Sequence, residues 1–195
     1  MSRNTGLILK IGGAIVFLSL IIFFIIRYTT KAHSPEDTVT YEQDGLKLEV
    51  FYNRPYKKDR AIFGKLVPYN KVWRTGANEA TTFETNKDIL VDGSILNAGK
   101  YSLWTIPMEN SWKVIFNSKM YPWGINLDKE AYRDPKFDTL VLERPVEEID
   151  TRLEQFTILF EQNGEFVNLV LAWDNTSVST PLKQKEAPAG TSYIQ

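Results

Sequence analysis

Cysteine is absent from the 195-residue chain, and histidine occurs once, at His33. Without cysteine the protein has no disulfide, no thiolate metal ligand and no cysteine nucleophile. A single histidine also excludes a site built from several histidines and a histidine-based triad within the domain that follows. An excess of charge is missing too, because 23 basic side chains nearly balance 24 acidic ones. Nucleic-acid-binding proteins usually carry a basic excess, so we expect no nucleic-acid partner, and we expect no cofactor.

One long apolar segment lies near the N-terminus, where the sequence runs from Ile11 to Ile26 without a charge. Counting back to Leu7, the apolar stretch has twenty residues and is interrupted only by Lys10. At about 1.5 Å per residue, a helix of that length spans the roughly 30 Å hydrocarbon core of a bilayer. We therefore predict an uncleaved signal-anchor helix over residues 11–27, with the lipid bilayer as its partner. Basic residues on the two sides balance, so charge alone does not assign the side of the membrane.

The rest of the chain has the pattern of short β-strands. Apolar residues alternate with polar ones over 46–52, and the pairs Asp92-Gly93 and Asn163-Gly164 are typical of hairpin turns between apolar runs. Further strands are predicted at 101–106, 112–116, 153–162 and 165–173, with a long loop over 120–137. These features favour a mostly β domain, an antiparallel β-sandwich or flattened barrel. The predicted organisation is a tail (1–10), the helix (11–27), a linker (28–37), the β domain (38–183) and a flexible tail (184–195).

Residues 62–83 stand out because glycine, proline, aromatic and charged residues are mixed in a way that strand patterning does not require. Within this segment Arg74 and Glu79 flank a predicted tight turn, which would bring the guanidinium and the carboxylate together. Arg54 and Arg60 lie just upstream. The segment therefore offers three arginines to one carboxylate.

Three runs carry a resemblance to a known family: VPYNKVWRTGANEATT (67–82), ILNAGKYSLWTIP (95–107) and LAWDNTSVSTPL (171–182). They resemble the signature elements of the bacterial domain-of-unknown-function 2911 family, and the similarity extends over residues 39–183. Asn70 replaces the glycine of many members, and asparagine tolerates the same left-handed backbone. The resemblance implies a family but no activity. Because members commonly carry a secretory signal or membrane anchor, it also implies an extracytoplasmic domain, periplasmic or at the cell surface.

A non-catalytic ligand-binding or structural module is the function that we favour. Its polar site would be formed by Arg60, Arg74, Asn78 and Glu79, with Trp73 or Trp104 as a stacking wall. Arginine suits carboxylates and phosphates, and tryptophan suits sugars and planar ligands, so a small polar ligand or a glycan is expected. The alternative is structural: Arg74 and Glu79 form an internal ion pair that fixes the loop.

Two other functions stay open. Glu79 could act with Asp174 in a carboxylate-based hydrolase, although the β domain contains no histidine to activate a serine or threonine. An envelope protein could instead bind an exposed aromatic patch formed by Tyr121, Trp123 and Tyr132 in the long loop. The ordinary alternative for those three side chains is that they close the loop onto the core.

Overall fold

The computed structural model describes residues 3–186 of the chain. One helix, α1 (Arg3–His33), precedes a set of antiparallel strands, and a short 3-10 helix lies at Pro135–Phe137. The strands are β1 Glu36–Gln43, β2 Leu46–Asn53, β3 Thr82–Thr85, β4 Ile89–Val91, β5 Ser94–Leu96, β6 Gly99–Pro107, β7 Ser111–Asn117, β8 Asp138–Asn163 and β9 Phe166–Gln184.

Helix α1 is long and apolar enough over Leu9–His33 to cross a membrane, and its apolar side chains are exposed. It is consistent with membrane anchoring, although a signal sequence near an N-terminus meets the same criterion. The helix extends beyond the apolar segment and through most of the predicted linker. It ends at His33 because Pro35 disfavours helical backbone at the residue before it. Only Ser34 and Pro35 separate α1 from β1.

The strands form a nine-stranded sheet in the order β1-β2-β3-β6-β7-β8-β9-β4-β5. The prediction of a mostly β, antiparallel domain is confirmed, and the sheet is not closed into a barrel. Strand β8 joins two parts of the sheet, β1-β2-β3-β6-β7 and β9-β4-β5, since its first part pairs with β7 and the rest with β9. Apolar side chains from β2, β3, β6 and β7 share one core with those of β9, so the two parts of the sheet enclose a common interior.

Both predicted hairpins are confirmed. Asp92 and Gly93 connect β4 to β5 with positive φ angles of 48° and 80°, and Gly164, at 58°, lies in the turn between β8 and β9. The predicted strands at 46–52, 101–106 and 112–116 correspond to β2, β6 and β7. Asn70 has a φ of 59°, the backbone conformation expected of a residue that stands for glycine.

Strand β1 and the first half of β8 were not predicted from the sequence. Strand β1 is polar, with many exposed side chains, and in β8 the apolar run 140–142 is short and is followed by the charged residues and proline of 143–150. They form because neighbouring strands supply their hydrogen-bond partners. Most of the predicted C-terminal tail, residues 187–195, lies outside the described residues, and β9 continues to Gln184.

Candidate functional site

The segment over residues 67–82, which we call the signature segment, is fixed to the sheet at Trp73. Its backbone N–H donates to the Thr105 carbonyl at 2.7 Å, and the Thr105 N–H donates back at 3.0 Å. The chain then turns through Thr75 and Asn78, which both have positive φ. Between them Gly76 has φ +152°, and a Cβ there would lie 2.9 Å from the Asn53 carbonyl oxygen. The turn therefore requires glycine at this position.

The far side of this turn binds the end of α1. Lys31 reaches the Glu79 carboxylate at 2.5 Å, and the Asn53 amide donates to the same carboxylate oxygen at 3.1 Å. The Asn78 amide donates to the carbonyls of Ser34 (3.3 Å) and Thr30 (3.4 Å). The Thr30 carbonyl also accepts from the Ser34 N–H at 3.2 Å, so Asn78 adds to the bonds that close the helix and extends them to the Ser34 carbonyl just past its end. We call Asn53, Asn78 and Glu79 the socket.

The pKa of Glu79 reflects this pairing. Burial alone would raise the pKa of the carboxyl, but the hydrogen bonds and charge of Lys31 and the hydrogen bond from Asn53 lower it below its ordinary value. Glu79 is thus held ionised and already satisfied by the protein. A group in this state is suited to holding a helix end in place, and it is poorly suited to act as a general acid.

The near side of the turn lines an open cleft of about 430 Å³ between the signature segment and the loop that contains Ile125 and Ala131. Its apolar lining includes Trp73, which stacks on the buried Trp173 with ring centroids 6.1 Å apart. Its basic side chains come from distant parts of the chain: Lys58, Arg60, Lys71, Arg74 and Lys129. No aspartate or glutamate among residues 3–186 lines it.

The positive charge of the cleft is not neutralised by ion pairs. Within the described part of the chain, every salt bridge involves other basic residues, and none includes a basic side chain of the cleft. Arg60 donates to the backbone carbonyls of Lys57 (2.9 Å) and Tyr56 (2.5 Å). A concave surface with several cations and no carboxylate attracts anions.

Arg74 connects the signature segment to the loop across the cleft. Its Nη1 donates to the Trp123 carbonyl at 2.9 Å, and its guanidinium lies 5.9 Å from the centre of the Trp123 ring. Burial lowers the pKa of Arg74, and the negative charge of Glu79 opposes that effect. Gly124 allows this approach, because a Cβ there would lie 3.1 Å from the Arg74 Cβ.

A family model described as "Protein of unknown function (DUF2911)" matches residues 34–182, more than half of the chain. The chain belongs to this family. Among curated proteins and among solved structures, no match is found. In this DUF2911 protein the matched region begins one residue after α1 ends, so the family domain consists of the sheet, the signature segment and the loops between strands.

The residues predicted to form one polar site are divided between two places in the DUF2911 domain. Arg60, Trp73 and Arg74 line the cleft, whereas Asn78 and Glu79 belong to the socket. Trp104 lies in neither place. It is fully buried on the face of β6 opposite to the main core, where it packs with Ala80, Ile115 and Tyr121. Its indole N–H donates to Ser102. The prediction of Trp104 as a stacking wall is therefore wrong, because the long loop covers that face of the sheet.

The predicted ion pair between Arg74 and Glu79 is also absent from the described residues. The backbone between them turns at three positive-φ residues, and the two side chains bond different partners, the Trp123 carbonyl and Lys31. Arg54 does not join them, because it pairs with Asp37 at 3.1 Å. The interpretation of three arginines around one carboxylate is wrong for the same reason: each guanidinium is held by its own neighbours.

The two remaining hypotheses concern a carboxylate-based hydrolase and an exposed aromatic patch on the long loop. Glu79 and Asp174 each bond a separate lysine, Lys31 and Lys57 (3.0 Å), and neither carboxylate lines the cleft. The aromatic residues of the long loop are split: Tyr121 closes the loop onto the core, while Trp123 and Tyr132 are exposed.

Sequence reasoning missed Lys58, Lys71, Lys129 and Trp173. Lys71 lies inside the signature segment, which stands out in the sequence. A single lysine between aromatic residues, however, has no spacing that identifies it as a ligand-binding residue. Trp173 was placed correctly in a strand, and its role follows from stacking on Trp73, about a hundred residues away in the sequence. No local pattern predicts that contact.

Proposed function

We propose that this DUF2911 protein is a membrane-anchored, non-catalytic domain that binds an anionic small molecule in the cleft. The observation that carries the proposal is the set of five basic side chains around a cavity that no carboxylate of the described chain lines. Small-molecule sites commonly have volumes of about 300–1,000 Å³ and combine an apolar surface with a few polar groups. The volume of the cleft falls in that range.

The side chains that line the cleft narrow the chemical class of its ligand. Arg60 and Arg74 present guanidinium groups suited to carboxylate or phosphate oxygens, and Lys58 and Lys71 add flexible point charges. Trp73, which stacks on the buried Trp173, supplies apolar contact for a planar or aliphatic part. These features favour an organic anion that carries a carboxylate or phosphate over a neutral glycan.

The anchor supports the location part of the proposal. Helix α1 is the candidate membrane span, and the socket holds its end directly against the domain. The cleft would then lie next to the membrane surface, on the extracytoplasmic side that the family resemblance implies. A reporter fused after the C-terminus that is active only outside the cytoplasm tests the side, and activity of a cytoplasmic reporter would contradict it.

Binding is tested by thermal melting of the full chain in neutral detergent with a panel of organic acids, sugar phosphates, nucleotides and neutral sugars. We expect at least one anion and no neutral sugar to raise the melting temperature. The double variant Lys58→Gln/Lys71→Gln should lose that rise. The matched control is Lys65→Gln/Lys113→Gln, which removes the same charge from exposed positions outside the cleft. A panel without any stabilising anion would overturn the proposed function.

A further inference from the structure

The position of the cleft relative to α1 points to where its anion comes from. His33, the last residue of α1, and Ser34 both line the cleft. From Ile26, the last residue of the uncharged run, to His33 is seven residues, or about 10 Å of helix. Since the polar layer on each side of the hydrocarbon core is roughly 5–8 Å thick, His33 would lie just beyond that layer, and the cleft would open next to the lipid headgroups.

A second observation lies on the loop across the cleft. Trp123 and Tyr132 are 41% and 59% exposed, and Leu127 at the loop tip is fully exposed. These three side chains line a shallow groove together with Ile125 and Lys129, which also line the cleft. Tryptophan and tyrosine favour the membrane–water interface, so an apolar surface of this kind, across a cleft that the end of a membrane helix also lines, suits contact with lipid.

The charges at the loop tip set a limit on this contact. Asp128 and Glu130 flank Lys129, so the tip itself carries no net positive charge. The selectivity for anions must therefore come from the cleft behind it, where the other basic side chains lie and acidic ones are absent among the described residues. The loop supplies apolar contact, and the cleft supplies charge.

We propose that the cleft binds a phosphate ester that carries an apolar body, namely the headgroup of an anionic phospholipid in the bilayer that contains α1. The proposal rests on the proposed function, since it names the class of anion. The phosphate is held by the basic side chains, including Lys71 and Arg74, while the glycerol and upper acyl chains contact Trp73 and the exposed apolar residues of the loop. The same phosphate chemistry occurs in soluble phosphate esters, so the test separates these two sources.

The experiment uses the full chain in neutral detergent micelles and compares three probes: dioctanoyl phosphatidylglycerol, dioctanoyl phosphatidylcholine and free glycerol phosphate. Binding is measured by melting temperature and by the change in tryptophan fluorescence. We expect phosphatidylglycerol to bind at least about tenfold more tightly than either other probe, because only it has both the net charge and the apolar body. Lys58→Gln/Lys71→Gln should weaken its binding about tenfold, and Lys65→Gln/Lys113→Gln should not.

Three results would overturn the inference, and they separate it from the proposed function. Equal binding of glycerol phosphate and phosphatidylglycerol would make the cleft a site for soluble anions, so the proposed function would stand without the lipid. Equal binding of phosphatidylcholine and phosphatidylglycerol, or equal loss in both lysine pairs, would show that the charge of the cleft is not what selects the probe. If none of the probes and none of the panel anions bind, both the inference and the proposed function fail.

Discussion

The socket and the cleft lie on opposite sides of one turn, and they differ in whether their charged side chains form ion pairs. In the socket, Glu79 is paired with Lys31, which also contacts Glu36, and accepts a hydrogen bond from Asn53. In the cleft, Arg74 and the lysines around it have no ion pair with any residue from 3 to 186. Paired charges between segments of one chain fix a structure, whereas unpaired charges around a cavity are available to an outside partner. The socket is thus the structural half of the signature segment and the cleft the binding half.

The largest expected effect comes from the residue that both halves share. Gly76→Ala places a Cβ 2.9 Å from the Asn53 carbonyl oxygen in a backbone conformation that alanine rarely adopts. We expect a loss of about 2–3 kcal/mol in the free energy of unfolding, measured by chemical denaturation in detergent. Gly93→Ala is the control, because it has positive φ but open space around the added Cβ, so its loss should be nearer about 1 kcal/mol. Equal losses would contradict the close packing of the turn.

Removing charge from the cleft should affect binding and leave stability unchanged. For Lys58→Gln/Lys71→Gln we expect about a tenfold loss of affinity for the anion, equivalent to about 1.4 kcal/mol. The free energy of unfolding should change by less than about 0.5 kcal/mol, since both lysines are exposed. Titration of the anion followed by tryptophan fluorescence measures the first quantity, and denaturation measures the second. A large loss of stability in this variant would make the cleft a structural feature.

A substitution in the socket should lower stability and leave anion binding nearly unchanged. Asn78→Ala removes the side-chain donor to the Ser34 and Thr30 carbonyls, and we expect it to lower the free energy of unfolding by about 1 kcal/mol. Anion affinity should stay within about twofold, because Asn78 does not line the cleft. Thr38→Ala, at an exposed position of β1, is the control for an alanine substitution in this part of the domain. If Asn78→Ala abolishes anion binding at unchanged stability, the division between the two halves is wrong.

The smallest effect concerns pH. The folded pKa of Glu79 is lower than its ordinary value of 4.5, so its ionisation stabilises the folded state at higher pH. This contribution is complete above the unfolded pKa and is lost as the pH falls through the lower folded pKa. We therefore expect the stability advantage of the wild type over Glu79→Gln to shrink on acidification below about pH 4.5. An advantage that grows in acid would mean that Glu79 is not held ionised by Lys31.

The sequence predicts features that depend on neighbouring residues much better than features that depend on distant ones. The hairpin turns at Asp92-Gly93 and Gly164 are local, because positive φ and the flanking apolar runs are properties of a few adjacent residues. The turn between Arg74 and Glu79 was predicted for the same reason. The partners of its side chains were not, since Lys31 lies 48 residues before Glu79 and Trp123 lies 49 residues after Arg74. Only the packing of α1 and the long loop against the domain decides these contacts.

Trp104 illustrates the same limit. A tryptophan in a predicted strand faces either the core, a binding site or another buried layer, and alternation along the strand does not distinguish among these. Here the loop buries the outer face of β6, which places Trp104 in a second apolar cluster rather than beside a ligand. Of the two tryptophans predicted as a stacking wall, Trp73, in an irregular segment, lines the cleft.

The most direct test of the separation between socket and cleft is a parallel melting experiment on the full chain in neutral detergent. Wild type, Asn78→Ala and Lys58→Gln/Lys71→Gln are each melted with and without the panel anions and dioctanoyl phosphatidylglycerol. We expect Asn78→Ala to melt lower but to keep the full rise caused by an anion, while the lysine variant melts like wild type and loses the rise. The opposite assignment, or the same behaviour in both variants, would contradict the separation of socket and cleft.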